Sequence, residues 1–432
     1  MSTTAIRDDA EAIWTAALAA VEPERLVTAR LSLDGAGRLC QDGRPLEPTL
    51  SFDHVDRIVV VGAGKAAAGM AKGIERLLGP DGLARHRVAG LVSVPTGCGR
   101  RLAAIEVRET RPAKANLPTP AVVQATHEII ADVSQLGPRD LVIAVITGGG
   151  SALLAAPKKG VSLDEKIALT RRLSESGADI ATLNAARRDL SLVKGGGLAR
   201  ACTAGHLLVL VLSDVIGDDL DVIASGPCVP PEPSTPPGTW TTPGGCHVRH
   251  IMVGDNGTAV AAAAAAARQA GYQIAGTVAG DGPRESSAEA VGARLASDAV
   301  ELLAAACRDG RPRALIEGGE ATVTVPADHG VGGRNQQTAL AAIDAVRRLG
   351  KPWPAGLLIA SVGTDGEDGP TDAAGGGADA AVVAEIERLG LDVPGSLARC
   401  DAYSLLVAAG GLIRTGPTGT NVADIRIVLA RP

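Results

Sequence analysis

Four times along this chain a short, unbroken run of aliphatic residues stops at a glycine or hydroxyl-rich turn, and a helix-length segment follows in each half. Arg57–Val61 leads into Gly62-Ala63-Gly64-Lys65, Asp140–Ile146 into Thr147-Gly-Gly-Gly-Ser151, Leu207–Leu212 into Ser213-Asp214, and Gly356–Ser361 into Val362-Gly363-Thr364-Asp365. Runs that do not alternate with polar residues read as strands buried on both faces. Intervening helices then imply right-handed crossovers between parallel strands. The first half is therefore expected to be a doubly wound, Rossmann-like, mainly parallel α/β domain, with Val88–Val94 as a further strand.

The 432 residues suffice for two or three domains of ordinary size. Gly226–Gly245 holds seven prolines in twenty residues and has no periodicity, so it is expected as a linker or a lid between domains. The chain divides accordingly into 1–227, a segment 228–248 and a second α/β domain over 249–432. In that second domain strands are expected at His250–Val253, Gln273–Val278, Ala314–Glu317 and Ile425–Leu429, with a short β segment at Ala321–Val325. Helices are expected over Thr258–Ala270, Glu285–Cys307, Gln336–Leu349, Ala380–Leu389 and Ala402–Ala409.

Composition removes several function classes. Three tryptophans, two tyrosines and one phenylalanine leave a core of Ala, Val, Leu and Ile, and 46% hydrophobic residues are enough to build one. With a net charge of −6 and no long basic run, the chain lacks the footprint of a nucleic-acid binder, and it lacks stacking aromatics as well. No apolar stretch approaches the ~20 residues that span a bilayer, and the acidic start has no signal-peptide pattern. A cytoplasmic protein is expected. Its seven scattered cysteines contain no CxxC pair and read as reduced thiols.

The turns carry the chemistry. Gly62-Ala-Gly64 after a strand opens like a dinucleotide fingerprint, which also requires an acid at the end of the second strand. That strand ends Val92-Ser93-Val94-Pro95, so a nicotinamide cofactor is disfavoured, and Lys65 at a helix start suits an anion instead. The Thr147–Ser151 turn is compatible with either a tight turn or a phosphate cradle. Asn184, Arg187, Arg188, Ser191 and Lys194 recur every three or four residues, as a ligand-binding helical face or a solvated one. Carboxylates at Asp214 and over Asp365–Asp372 favour Mg²⁺ or substrate binding. Arg334 begins a helix, where a cation is misplaced unless a bound phosphate or carboxylate shares the site.

Taken together, VVGAGKAAAGMA, TGGGSALL, NAARRDLSLVKGGGLA, SDVIGDDLDVIASGP, GGEATVTV, GGRNQQTALA, GTDGEDGPTDAAG and TGPTGTNVADI make the sequence resemble the class II glycerate kinases, which join an N-terminal α/β domain to a C-terminal MOFRL domain. Here the MOFRL region would span about 313–426. The resemblance implies ATP-dependent phosphorylation of D-glycerate at its 2-hydroxyl, with Mg²⁺, in a cleft between the domains. It implies catalytic roles for Lys65 and Arg334, with Asp214 and Asp365, and metal binding by Asp214, Asp365 and Asp372. Substrate or nucleotide contacts are expected from Gly62, Gly64, Ser93, Thr147, Gly148, Gly149, Gly150, Ser151, Asn184, Arg188, Lys194, Gly195, Gly196, Glu320, Gly333, Asn335 and Thr364. The partners are then D-glycerate and ATP, with no nucleic acid or membrane, and a monomer or homodimer. Members of the family have also been labelled hydroxypyruvate reductase, which makes an NAD(P)H-dependent reductase the competing activity. A kinase of a related hydroxy acid is a further alternative. None of the loops expected to carry the site contains an aromatic residue, so a nucleotide base is expected between aliphatic side chains and glycine-rich backbone, with Trp240, in the segment that is shorter than the family's, as the candidate exception that would fold over it.

Overall fold

The computed structural model describes residues 3–113, 117–175, 180–230, 238–280, 287–349 and 352–432. The chain forms two compact units. One comprises Glu22–Gly254 with Gly419–Asn421, the other Met1–Val21, Asp255–Thr418 and Val422–Pro432.

The first unit is built on a seven-stranded sheet. Its spatial order is Glu106–Arg111, Ala89–Pro95, Arg57–Ala63, Asp140–Thr147, His206–Leu212, His247–Gly254 and Thr239–Thr241. All neighbours run parallel except the last pair. The aliphatic runs are strands because Val59, Val61, Val142, Ala144, Val209 and Val211 face one core, packed by Val122, Ile129 and Val133 of the helix Pro120–Val133. That helix starts where it does because the Thr119 side chain accepts from the Val122 N–H and Pro120 fixes the first turn. The strand order reverses between Arg57–Ala63 and Asp140–Thr147. In open α/β sheets the crevice beyond such a reversal is where ligands bind.

The Pro-rich stretch is partly regular. Thr239–Thr241 pairs antiparallel with His247–Arg249 at the start of that strand, and Trp240 Nε1 donates to the Cys228 carbonyl at 3.1 Å. Trp240 packs against the core at the N-terminal end of the strands. It is therefore an edge-strand anchor, and Trp240 as the candidate exception that folds over a base is corrected. The rest of the expected lid, residues 231–237, lies outside the described residues.

The second unit holds a mixed six-stranded sheet in the order Gln273–Val278, Arg313–Gly319, Asp424–Ala430, Leu357–Gly363, Gly375–Ala378 and Leu412–Ile413. Only the first pair is parallel. The last strand of the chain thus lies in the middle of the sheet, buried along its whole length. The helix Arg334–Arg348 packs beneath it together with Ala288–Asp309, where Leu295, Ala299, Leu340 and Ile343 meet in the core. The N-terminal helix Thr3–Ala20 belongs to this unit: Asp9 accepts from the Tyr272 hydroxyl at 2.6 Å, and Arg7 pairs with Asp379. The expected strand at Ala321–Val325 does not form; only Thr322 makes a β-bridge, to Ser287. Among the described residues no helix is long and apolar enough to cross a membrane.

Candidate active site

At the reversal of strand order in the first unit, two turns interlock. Gly64 N–H donates to the Ser93 carbonyl at 3.2 Å, Lys65 N–H to the Gly148 carbonyl at 3.0 Å, and Ala66 N–H to Thr147 Oγ1 at 3.2 Å. Gly64, at φ +137°, has no room for a side chain, because a Cβ there would lie 2.1 Å from Thr147 Oγ1. Gly148 is equally confined: a Cβ would come within 2.2 Å of Asp214 Oδ2 and 2.6 Å of Asn421 Nδ2. Asn421 Nδ2 donates to Asp214 Oδ2 at 3.0 Å and so orients the carboxylate against this turn. A Cβ on Gly149 would sit 3.4 Å from Arg111 Nη2 and 3.9 Å from Lys65 Cγ, so two cationic side chains flank the glycine turn. Lys65, Thr147, Gly148, Gly149 and Asp214 are therefore brought together, with Gly62 and Gly64 setting the backbone.

Other expected contacts have structural work. Ser93 is buried and its hydroxyl pairs with Thr110 Oγ1 at 2.7 Å. The helix containing Asn184 ends at Asp189, so Ser191 and Lys194 do not continue its face, and the expected five-residue face is corrected. The Asn184 side chain lies outside the described residues. Arg188 pairs with Asp221 at 3.1 Å. The amides of Gly195 and Gly196, expected to meet phosphates, already donate to the Ser225 carbonyl at 3.0 Å and the Gly226 carbonyl at 2.7 Å. They fasten a turn in which Ala224 and Ser225 hold positive φ, a conformation that persists only under such constraint. Lys194 adds to it, donating from Nζ to Ser151 O at 2.9 Å and Ser151 Oγ at 2.7 Å. Burial, then the charges of Lys166 and Arg187, hold the Lys194 ammonium well below the usual lysine range. Gly150 opens the short helix that presents Ser151 to this lysine.

In the second unit Arg334 starts its helix in the grip of carboxylates. Nε and Nη2 donate to the two oxygens of Asp424 at 2.7 and 2.9 Å, and Nη1 to Glu320 at 2.7 Å. Burial alone would lower the guanidinium's pKa; the charge of Asp424, its hydrogen bonds, and Glu320 and Asp365 outweigh that and raise it. The free amides of the helix start belong to Asp368, which accepts from Asn335 N at 3.0 Å and Gln336 N at 2.8 Å. Gly333 makes room for it, since a Cβ there would lie 2.3 Å from the Asp368 carboxyl carbon. Burial pushes the Asp368 carboxyl up to about 6 despite those two donors. The bound anion expected at Arg334 is thus not needed to resolve its position: the chain's own carboxylates do so, a correction to the sequence reading. Asn335 is buried between Asp424, which accepts from Nδ2 at 3.0 Å, and Ser361. Thr364 is buried too, donating to the Ala423 carbonyl at 2.6 Å.

Asp365 Oδ1 accepts from Glu367 N at 3.0 Å. Asp372 is occupied by Tyr403 at 2.8 Å and Arg414 at 3.0 Å, whose hydrogen bonds hold its carboxyl below the usual range. Among the described residues no three His, Cys, Asp or Glu side chains gather as a metal-binding group. Three residues that complete these arrangements escape the sequence reading, Arg111, Asn421 and Asp424, while Asp368 belongs to the expected Asp365–Asp372 carboxylate run but accepts from the amides that start the Arg334 helix. Asp424 and Arg426 did carry a signal, as charged residues inside an otherwise aliphatic strand.

Residues 9–242 match a family described as a domain of unknown function (DUF4147), and residues 313–424 match the MOFRL family. The D-glycerate 2-kinase of Thermotoga maritima is 35% identical, over 89% of this chain and 94% of that protein. A protein of Agrobacterium vitis called a putative hydroxypyruvate reductase is 36% identical, over 86% of this chain and 87% of its own. The crystal structure of a glycerate kinase from Thermotoga maritima superposes with a TM-score of 0.78 at 32% identity, covering 98% and 99% of the two chains. By its two domain matches and its full-length relatives, this chain belongs to the glycerate kinase family.

Proposed function

We propose that the protein is a D-glycerate 2-kinase that transfers the γ-phosphoryl group of MgATP to the 2-hydroxyl of D-glycerate, giving 2-phosphoglycerate and ADP. The observation that carries this reading is the glycine turn at the strand-order reversal, flanked by Lys65 and Arg111 and faced by the Asp214 carboxylate. Phosphoryl transfer asks little covalent work of a protein; it needs in-line placement and cancellation of charge on the transferring group. Lys65 and Arg111 supply that charge. Asp214, steered by Asn421, is one carboxylate of the kind that binds Mg²⁺ jointly with substrate phosphates, and Asp365 is the second candidate. Arg334 spends three of its five N–H donors on Asp424 and Glu320, and the other two are assigned to the glycerate carboxylate or the γ-phosphoryl oxygens. The reading includes a cytoplasmic location and small-molecule partners only.

The reductase alternative finds less support. The position where a dinucleotide-binding strand places its ribose-binding acid is Ser93 and its neighbours, and Ser93 is spent on Thr110. The test is a coupled assay with D-glycerate, ATP and Mg²⁺ that separates 2- from 3-phosphoglycerate, beside NADH consumption with hydroxypyruvate. Lys65→Ala and Arg334→Ala should each lower kcat/KM by about 10³-fold or more. Either variant within a few-fold of wild type would remove that residue from the mechanism. NADH oxidation without ATP-dependent product would overturn the kinase reading.

A further inference from the structure

The opposite end of the first unit's sheet carries a second compartment that the phosphoryl-transfer reading does not use. Two adjoining cavities, of about 500 and 760 Å³, share Thr49, Leu50 and His206 in their walls. These volumes are those of small-molecule sites. His206 begins one strand and His247 begins its parallel neighbour directly opposite, with Arg249 two residues further on the same face. The two imidazoles lie 5.5 Å apart, centroid to centroid. His247 Nδ1 is 3.0 Å from Thr241 Oγ1; with that hydroxyl donating, Nε2 carries the proton and is a donor.

The charge of this compartment is one-sided. Among the described residues neither cavity wall includes an Asp or Glu, although acids outnumber Lys and Arg 48 to 42 in the chain. His54, Arg38 and Arg139 line the adjoining cavity; the two arginines are paired with Asp34 and Asp56 outside the walls. Arg249 differs. Its Nη2 donates to the Glu47 backbone carbonyl, and among the described residues no carboxylate lies within ion-pair distance of it, though the Glu47 charge acts on it from further away. Burial, then the charges of His247 and Arg249, hold the His206 imidazole below its usual range, as expected of cations crowded without an anion.

We propose that this compartment is a binding site for a small phosphate monoester, its phosphate held by Arg249, His206 and His247 and its body lying against Pro48, Leu50 and Leu208. A guanidinium and two imidazoles on one face match the oxygens of such a group, and the apolar wall beside them offers a surface for its body. The site is separate from the Lys65 turn, since His206 begins the strand that leads into Asp214, and the parallel neighbour of that strand carries Thr147 at the same far end.

Isothermal titration calorimetry of the full chain with AMP and with glycerol 1-phosphate tests this. The expected result is saturable binding of at least one probe that persists in Lys65→Ala and weakens by about tenfold or more in Arg249→Gln and in His247→Gln. Binding of AMP alone that weakens in both variants identifies a nucleotide-type ligand, and binding of glycerol 1-phosphate that weakens in both a compact one; either loss supports the site. Both variants should keep the wild-type kinase rate without added probe, which shows that they fold. No saturable binding of either probe up to about 10 mM, or binding unchanged in both variants, would overturn the proposal. Because the readout is heat of binding, its failure is distinct from failure of the kinase assay.

Discussion

Replacing Asp424 with Asn tests the reasoning about Arg334 most directly. The carboxylate is buried, with its side chain 1% exposed, whereas the Arg334 side chain is 31% exposed and keeps Glu320. Asp424→Asn removes one oxygen and the charge from two donors at 2.7 and 2.9 Å. Charge-assisted hydrogen bonds are worth about 1.5–3 kcal/mol each, and stripping one partner from a buried pair costs about 3–5 kcal/mol. Since Arg334 reaches solvent, the lower end applies, about 3 kcal/mol. Arg334→Met should cost a similar amount, because it leaves a buried carboxylate with Asn335 as its remaining donor. The double variant should cost less than the sum by about 2 kcal/mol or more. A chain of two units need not unfold in one step, so the free energies are best read from native-state hydrogen exchange of amides in Asp424–Ala430. Additivity within about 0.5 kcal/mol would refute the claim that Asp424 positions Arg334. In the same series Arg334→Lys, which cannot grip a carboxylate bidentately, should lose turnover out of proportion to stability.

Two further outcomes follow from the geometry. Asp368 is pushed up to about 6 in the fold, above its ordinary carboxyl value, so between about pH 4 and 6 the folded state binds more protons than the unfolded one and the second unit loses stability as pH rises, by at most about 2–3 kcal/mol. Urea midpoints of that unit across the window should show the decline, and Asp368→Asn should flatten it; a wild-type midpoint that rises across the same window would contradict the assignment. Gly148→Ala would drive a methyl group into Asp214 and Asn421, and should lower kcat/KM by about 10²-fold or more with far-UV circular dichroism unchanged. Activity within a few-fold would show that the pair tolerates displacement.

Local chemistry was enough to place most strands and helices. Aliphatic runs such as Ile58–Val61, closed by glycine, are best satisfied as buried parallel strands, and the strand ends at Gly62–Gly64, Thr147 and Asp214 follow from where those runs stop. The helices over 380–389 and 402–409 fall where their apolar spacing puts them. The face drawn from Asn184 to Lys194 failed for a physical reason: i and i+3 spacing is meaningful only while the helix lasts, and this one stops at Asp189, before the Gly195–Gly197 turn.

What spacing along the chain could not show is which charges meet across it. Asp424 lies 90 residues from Arg334, and Asn421 lies 207 from Asp214; no periodicity links such positions. The sequence by itself determined the strand–turn–helix units and the glycine-rich turns at the strand ends, because backbone hydrogen bonding and burial of aliphatic side chains act over a few residues. The tertiary structure alone decided that the last strand enters the middle of the second sheet, bringing Asp424 to Arg334, and that the amides of Gly195 and Gly196 are spent on their own fold. A charge's partner, and whether a donor is still available for a ligand, are settled only when distant segments are packed together.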